Sequence, residues 1–162
     1  MSDAKTPDLG TLLASGVDVV ALLNGHRGPF DKTIGLVFTR VAEDELEAEV
    51  PVTEALLQPY GLVHGGVYAS MIETLASAAA AIVAMPRGQT SVGLENTTSF
   101  LRGTRSGTLR GRVTPVHKGT RTQVWGVDIR DDEGRVVATG RVRTLCLEAG
   151  AAIAGQTVGM KP

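Results

Sequence analysis

The longest apolar run of the chain occupies residues 67–85. Its polar side chains recur at Ser70, Glu73, Thr74 and Ser77, which is the i, i+3, i+4, i+7 spacing of one helical face. The pattern predicts an α-helix that other structure covers on nearly every side, with one narrow polar stripe. Glu73 is the single carboxylate of that stripe.

A helix of this length would also nearly cross the hydrocarbon core of a bilayer. A lone Glu73 near its centre would be costly in lipid, and the flanking residues lack the basic and aromatic anchors of membrane spans. The pattern therefore favours a core helix wrapped by a sheet over a membrane helix.

Period-two alternation predicts strands on both sides of this helix. Before it, residues 34–41 and 46–52 flank an acidic turn and form a hairpin. After it, four more strands follow one another through tight turns. They are predicted at residues 89–102, 108–116, 122–130 and 135–148.

These elements have few ways to pack. Residues 11–23 predict only a short helix, ended by Asn24 and Gly25, so no other helix can cover the face of the sheet. The sheet must therefore curl around the long helix. The sequence predicts an α+β hot-dog fold, in which about six antiparallel strands wrap one central helix.

The length of 162 residues suits one well-buried domain. We expect a variable N-terminal segment at residues 1–30, the hot-dog domain at 31–148 and a flexible tail at 149–162. The first ten residues lack the basic and apolar regions of an export signal, which favours a cytoplasmic location.

Charge and cysteine content exclude several classes of function. A net charge of -1 gives no reason to expect nucleic acid as a partner. The single Cys146 excludes an intrachain disulfide, and His26, His64 and His117 lie too far apart in sequence for a metal motif. We expect a protein that needs neither metal nor cofactor and does not bind a membrane.

His64, Gly65 and Gly66 stand where the chain enters the long helix. Glycine leaves backbone N–H groups uncovered, and the first N–H groups of a helix lie at its positive end without an internal partner. Such a site stabilises an oxyanion, as acyl transfer requires. The alternative is that the two glycines only make a tight turn.

A carboxylate on a helix packed all round must be paired, hydrogen-bonded or functional. Glu73 is therefore a candidate base or nucleophile, or else a structural residue bonded to its neighbours. Gly66 and Glu73 lie seven residues apart, roughly 10 Å along the helix axis, which is too far for both to reach one reacting group. Two antiparallel helices across a twofold axis would bring them together, so the spacing indicates a dimer with composite sites.

Other polar residues surround this pair in sequence. Ser77 lies one turn beyond Glu73 and either holds the carboxylate or bonds its own i−4 carbonyl. Gln58 and His64 precede the helix and could contact an acyl carbonyl or a leaving group. Basic residues at strand ends and turns would suit the phosphates of a nucleotide-bearing substrate, or are ordinary solvated charge. They are Arg102, Arg105, Lys118 and Arg121.

The stretch QPYGLVHGGVYASMIETLAS, from Gln58 to Ser77, resembles the signature of the hot-dog acyl-CoA thioesterases of the phenylacetate-pathway type. It is more closely similar to the Arthrobacter-type 4-hydroxybenzoyl-CoA thioesterases. The similarity extends over residues 34–148 and includes the TSFLR, HKGTR and DDEGR stretches.

The resemblance implies hydrolysis of an aryl- or medium-chain acyl-CoA thioester without metal or cofactor. It implies that Gly65 polarises the thioester carbonyl and that Glu73 of the facing subunit is nucleophile or general base, in a homotetramer built as a dimer of dimers. Gln58, His64 and Ser77 match catalytic positions of the family. The residues implied to bind substrate or coenzyme A are Gly66, Arg102, Lys118, Gly119, Thr120 and Arg121.

Two alternatives remain open at this point. A non-catalytic acyl-CoA sensor would share the fold, although an intact Glu73 and the lack of a DNA-binding domain in the sequence favour an enzyme. A hot-dog dehydratase would need a histidine and an acid facing one carbon, and His64 precedes the helix instead of sharing its polar stripe.

Overall fold

The computed structural model describes residues 7–153 and 155–157. Within them, one six-stranded antiparallel sheet packs around one long helix, which confirms the predicted hot-dog fold. The helices are α1 (Leu9–Ala14), α2 (Val19–Gly25), α3 (Pro29–Ile34) and α4 (Gly65–Ala84). The strands are β1 (Val37–Ala42), β2 (Glu45–Pro51), β3 (Gln89–Phe100), β4 (Thr108–Lys118), β5 (Thr122–Arg130), β6 (Val136–Glu148), β7 (Ala152–Ile153) and β8 (Gln156–Thr157).

The strand order of the main sheet is β1-β2-β4-β5-β6-β3. The chain leaves β2, forms α4 across the inner face, and returns as β3 at the far edge of the sheet. Consequently α4 contacts β2, β3, β4, β5 and β6, and the two edges of the sheet are β1 and β3.

The core lies between α4 and the inner face of the sheet. Met71, Ile72 and Leu75 of α4 are completely buried against strand residues such as Trp125 and Ile129. Including the 3-10 turn that follows, the helix is long and apolar enough to cross a membrane, but half of its most apolar window is buried inside the structure. Packing against the sheet explains the long apolar run.

The N-terminal segment differs from the prediction in two places. The helix expected over residues 11–23 is two helices, α1 and α2, because Gly16 adopts a φ of 76° that few other residues tolerate. The strand expected from residue 34 begins only at Val37. Pro29 starts α3, and Gly35 ends it in the left-handed conformation.

The later strands lie close to their predicted positions. The prediction for β5 matches the strand at both ends, whereas β3 ends two residues before its predicted end and β4 extends two residues beyond it. Part of the predicted tail forms the β7–β8 hairpin. Residues 1–6 of the predicted variable segment, and residues 154 and 158–162 of the predicted flexible tail, lie outside the described residues.

The turn between β5 and β6 is built around Asp131. Its Oδ1 accepts the backbone N–H groups of Glu133 and Arg135, both at 3.0 Å, and its Oδ2 accepts Nε of Arg135 at 2.9 Å. The hydrogen bond from the Arg135 side chain lowers the pKa of the Asp131 carboxyl below its ordinary value. The ionised carboxylate therefore stabilises the folded turn.

We expect Asp131→Asn to lower the melting temperature at pH 7. A folded pKa below the unfolded value of about 4 means that this stability is present above about pH 4 and is lost as the pH falls through the folded pKa. The difference from wild type should therefore shrink between about pH 5 and about pH 2 in a melting series. Glu43→Gln, in the exposed β1–β2 turn, is the control, and a difference independent of pH would contradict the prediction.

Candidate active site

The predicted oxyanion site lies at the N-terminus of α4. His64 caps this 20-residue helix, since its Nδ1 accepts the Gly66 N–H at 2.9 Å. The Gly65 N–H donates to no group among residues 7–153 and 155–157. A free N–H at the positive end of a helix stabilises negative charge on an oxygen. Of the two glycines, Gly65 therefore offers the available donor.

Both glycines lie against an aromatic ring. A Cβ at Gly65 would lie 2.9 Å from the ring of Phe100, and a Cβ at Gly66 would lie 2.9 Å from Nδ1 of His64. Both distances are shorter than the van der Waals separation that a carbon atom normally keeps from its neighbours. The ring of Phe100 thus lies against Gly65 at the helix start, and a larger residue there would displace the ring.

Glu73 lies on the open face of α4 and is half-buried, not enclosed as the apolar run had indicated. Ser77 Oγ donates to its Oε1 at 3.0 Å, and Asn96 Nδ2 donates to its Oε2 at 3.0 Å. Of the two partners considered for Ser77, the structure therefore shows the carboxylate. Ser70 instead donates to the i−4 carbonyl of Gly66, at 2.7 Å.

Two residues of β3 that the sequence analysis missed position this carboxylate. Asn96 bonds both Glu73 and the carbonyl oxygen of Ala69, at 3.1 Å, and so ties β3 to α4. A Cβ at Gly93 would lie 2.6 Å from Oε1 of Glu73, so the glycine makes room for the carboxylate. A glycine inside a predicted strand was the available signal of a close approach.

Gln58 lies in the loop before α4. Its Oε1 accepts the Tyr60 N–H at 2.6 Å, which leaves the side-chain amide group to donate elsewhere. It shares a cavity of about 320 Å³ with Gly65, and burial raises the pKa of Tyr68 in the same cavity, so that its phenol stays neutral. The residues around this cavity are Gln58, Leu62, Val63, Gly65, Tyr68, Phe100, Leu101, Arg102 and Gly103.

A second cavity of about 320 Å³ lies on the other side of the helix start. Its walls are mostly apolar, with His64 and Ser70 as the polar side chains. Phe30 of α3 forms part of the wall although its side chain is 57% exposed. The complete lining is Phe30, Ile34, Ala55, Leu56, Leu57, His64, Gly66, Val67 and Ser70.

The basic residues expected at the coenzyme do not meet within one chain. Arg102 follows β3, beside the β5–β6 turn, because its N–H and that of Leu101 both bond Val137 O. The HKGTR turn joins β4 to β5 at the opposite end of the sheet. Arg102 bonds Val137 and Arg121 bonds Cys146, so nine residues of β6 separate the two basic segments by roughly 30 Å.

The residues of these basic segments differ in whether they are free to contact a ligand. Lys118 forms an ion pair with Asp44. Gly119 closes the turn, since a Cβ there would lie 2.5 Å from Thr122 O. Thr120 and Arg121 are exposed, and within the described part of the chain Arg121 and Arg102 form no ion pair.

Arg105 has a structural role in this fold. Its Nη1 donates to the carbonyl oxygens of Tyr60 and Gly61, at 3.1 and 3.3 Å. These bonds pin the loop after β3 to the loop before α4. The cluster of four basic residues considered from the sequence is therefore not one site within a chain.

Comparison with known proteins places the chain in a family. Residues 60–138 match the family model described as the thioesterase superfamily. The chain is 39% identical over 120 residues to the proofreading thioesterase EntH of Cronobacter sakazakii, covering 74% of this chain and 87% of that protein. It is 46% identical over 123 residues to Rv1847 of Mycobacterium tuberculosis, covering 75% and 88%.

A solved structure gives the same result. The thioesterase HI1161 of Haemophilus influenzae superposes with a TM-score of 0.76 at 32% identity, over 80% of this chain and 90% of that chain. Both the fold and the extent of sequence identity agree with the family model. The chain belongs to the thioesterase superfamily and is a thioester hydrolase.

Proposed function

We propose that the protein hydrolyses acyl-CoA thioesters with an aryl or medium-chain acyl group, releasing free acid and coenzyme A. The observation behind this proposal is the pairing of two groups on one helix. The Gly65 N–H at the helix start has no acceptor among the described residues, and Glu73 presents a carboxylate held by Ser77 and Asn96 on the open face. An oxyanion donor and an oriented carboxylate are what thioester hydrolysis needs.

In the proposed reaction, Gly65 N–H polarises the thioester carbonyl and stabilises the oxyanion that forms. Glu73 either takes a proton from the attacking water or adds to the carbonyl carbon as nucleophile, and water then cleaves the anhydride. In both routes the C–S bond breaks and coenzyme A leaves as a thiolate that gains a proton. With His64 Nδ1 accepting a backbone N–H, its Nε2 holds the ring proton and can donate to the sulfur or carbonyl.

We place each site between two chains. Gly65 and Glu73 of one chain lie eight residues and so roughly 12 Å apart along the axis of α4, too far to act on one carbonyl. The open edge of β3 offers a twofold pairing surface: β3 pairs only with β6 among the described strands, and Leu94, Phe100 and Leu101 beside it are 50–59% exposed.

Antiparallel pairing of two β3 strands would complete the reactive pair. Gly65 lies over Phe100 and Glu73 over Gly93, so α4 and β3 run in opposite directions. A twofold axis near the middle of the paired strands, close to Asn96, then brings Glu73 of one chain to Gly65 of the other.

The same axis would join the separated basic residues. It places the HKGTR turn of one chain beside Arg102 of the other, where both can bind phosphates of one coenzyme A. Because Lys118 already pairs with Asp44, we expect Arg121 and Arg102 to contribute most of the charge. The tetramer expected from the sequence remains a prediction.

We assign the acyl group to the apolar cavity lined by Phe30. The cavity beside Gln58 leads from Gly65 to the cationic Arg102, which suits the pantetheine arm that links thioester and phosphates. The other cavity leads from His64 and Gly66 to Ile34, Leu56 and Val67, which suits an apolar acyl group. A volume of about 320 Å³ holds an aryl or medium-chain group.

Release of free thiol from an acyl-CoA panel tests this proposal. Phenylacetyl-, hydroxybenzoyl-, hexanoyl- and palmitoyl-CoA cover aryl, medium and long acyl groups. We expect turnover of the aryl and medium substrates and little of palmitoyl-CoA. Binding of these compounds without release of thiol would instead identify an acyl-CoA sensor.

Phe30→Ala tests the acyl cavity. We expect kcat/KM for decanoyl-CoA, relative to hexanoyl-CoA, to rise about tenfold, because truncation opens the outer wall of the cavity. Leu22→Ala is the matched control, an exposed apolar residue of the same N-terminal segment that is not part of the wall. An unchanged ratio in Phe30→Ala would place the acyl group elsewhere.

A further inference from the structure

The two edge strands of the main sheet, β1 and β3, differ in whether other parts of the chain cover their outer side. Among the described strands none lies beside the outer edge of β3, whereas the start of the outer edge of β1 is covered by α2 and by the residues that follow α2. An uncovered edge strand presents unpaired N–H and C=O groups that pair readily with another chain. The difference therefore concerns which edge a second copy of the chain can use.

Asn24, at the end of α2, occupies the edge of β1 as a strand would. Its Nδ2 donates to Phe38 O at 2.8 Å, and its Oδ1 accepts Phe38 N–H at 2.9 Å. A side-chain amide offers one donor and one acceptor in the same arrangement as a peptide group. Asn24 thus satisfies both groups of Phe38 that would otherwise point away from β2.

The outward groups of Leu36, two residues earlier, are also occupied. Arg27 Nη1 donates to Leu36 O at 2.5 Å, and Leu36 N–H donates to Asp31 O at 2.9 Å. Four successive outward-facing backbone groups of this edge therefore have partners within the chain. None of them is available to a strand from another molecule.

We infer that Asn24 and Arg27 block the β1 edge, so that a second copy of this chain can join the sheet only at β3. This inference rests on the proposed function in one respect, namely that the shared site forms at β3. With both edges open, β1 of one molecule could pair with β3 of the next, a head-to-tail contact that does not close and that grows into filaments. Such pairing would also occupy the β3 edge where the site forms.

The chain offers a variant that removes the block without removing α2. The buried Val19 and the partly buried Leu23 attach α2 to the rest of the structure, and Asp18 caps its start through the Ala21 N–H. Asn24→Leu deletes only the two bonds to Phe38. Ala21→Leu adds the same apolar surface to an exposed position of α2 and is the matched control.

Light scattering during size-exclusion chromatography, over a concentration series, is the test. Wild type and Ala21→Leu should form one assembly of constant mass. Asn24→Leu should form larger species that grow with concentration, and in dilute solution its Phe38 amide should exchange with deuterium at least about tenfold faster. A constant mass in Asn24→Leu, with Phe38 exchanging fast, would overturn the inference.

A second variant separates edge pairing from general misfolding. In Asn24→Leu/Val37→Lys, a charge stands on the edge strand itself and opposes pairing there. Return to the wild-type mass supports the inference, and larger species in the double variant contradict it. Asn24→Ser, whose shorter side chain reaches neither group, replaces Asn24→Leu if leucine prevents folding. None of these measurements uses thiol release. A failure of this inference can therefore be distinguished from a failure of the proposed function.

Discussion

We expect Glu73→Gln to lower turnover of acyl-CoA by at least about a hundredfold, the usual scale for loss of a general base or nucleophile. Glutamine keeps the size of the side chain and an oxygen that can accept from Ser77 or Asn96. The fold should therefore stay intact, with a melting temperature close to that of wild type. What is lost is the negative charge, which both proposed routes require.

Thiol release by purified wild type and variant, at matched concentrations, measures this loss. Glu95→Gln is the control, because Glu95 lies one residue before Asn96 on β3 but pairs with Arg143 on the outer side of the sheet. We expect Glu95→Gln to retain nearly full turnover. A Glu73→Gln enzyme with turnover near that of wild type would refute the proposed role of the carboxylate.

We expect Gly65→Pro to lower kcat by about 10²–10³-fold, because proline has no N–H to donate to the oxyanion. Proline is well tolerated at the first position of a helix, which is the position of Gly65 in α4. Its ring would nevertheless meet the side chain of Phe100, so a loss of activity alone would not identify the cause.

A pair of alanine variants resolves that ambiguity. Gly65→Ala keeps the N–H but places a Cβ against the Phe100 ring, so activity should fall. Gly65→Ala/Phe100→Ala removes the clash and should recover activity, whereas Gly65→Pro/Phe100→Ala should stay inactive because the donor is still missing. Equal recovery in both double variants would show that Gly65 serves only to make room, the tight-turn alternative considered from the sequence.

Sequence patterns predicted the parts of the fold that depend on local periodicity. The polar stripe of α4 was visible because helical spacing places Ser70, Glu73 and Ser77 on one face. The strands alternate inward and outward side chains, so their positions were close to the observed ones. The short helices were harder to predict. In α3, for example, Pro29 begins the helix and Gly35 ends it, and the six residues of the helix are too few to show a period.

The candidate site was only partly visible for a related reason. Gly66 and Glu73 lie in one predicted helix, so their spacing could be converted into a distance. Asn96 and Gly93 reach Glu73 from β3, 23 and 20 positions further along the chain, and no local period connects them. Arg105 was grouped with other basic residues because charge pattern does not show which carbonyl oxygens a guanidinium meets.

The positions of Arg102 and the HKGTR turn could be learned only from the strand order of the sheet, not from the sequence. Both are basic segments at strand ends, yet β3 lies at the sheet edge and runs the length of the molecule between them. One chain keeps them apart, and a twofold pairing at β3 would bring them together. The distance between Gly65 and Glu73 and the distance between Arg102 and the HKGTR turn both support the shared arrangement that we propose.

Complementation between inactive chains tests that arrangement most directly. Gly65→Pro and Glu73→Ala chains carrying different tags are co-expressed, and the mixed assemblies are isolated by two successive affinity steps. A site shared by two chains predicts that each heterodimer contains one intact site and shows about half the wild-type turnover per chain. Mixed assemblies as inactive as either parent would contradict it, since that is the result for a site built within a single chain.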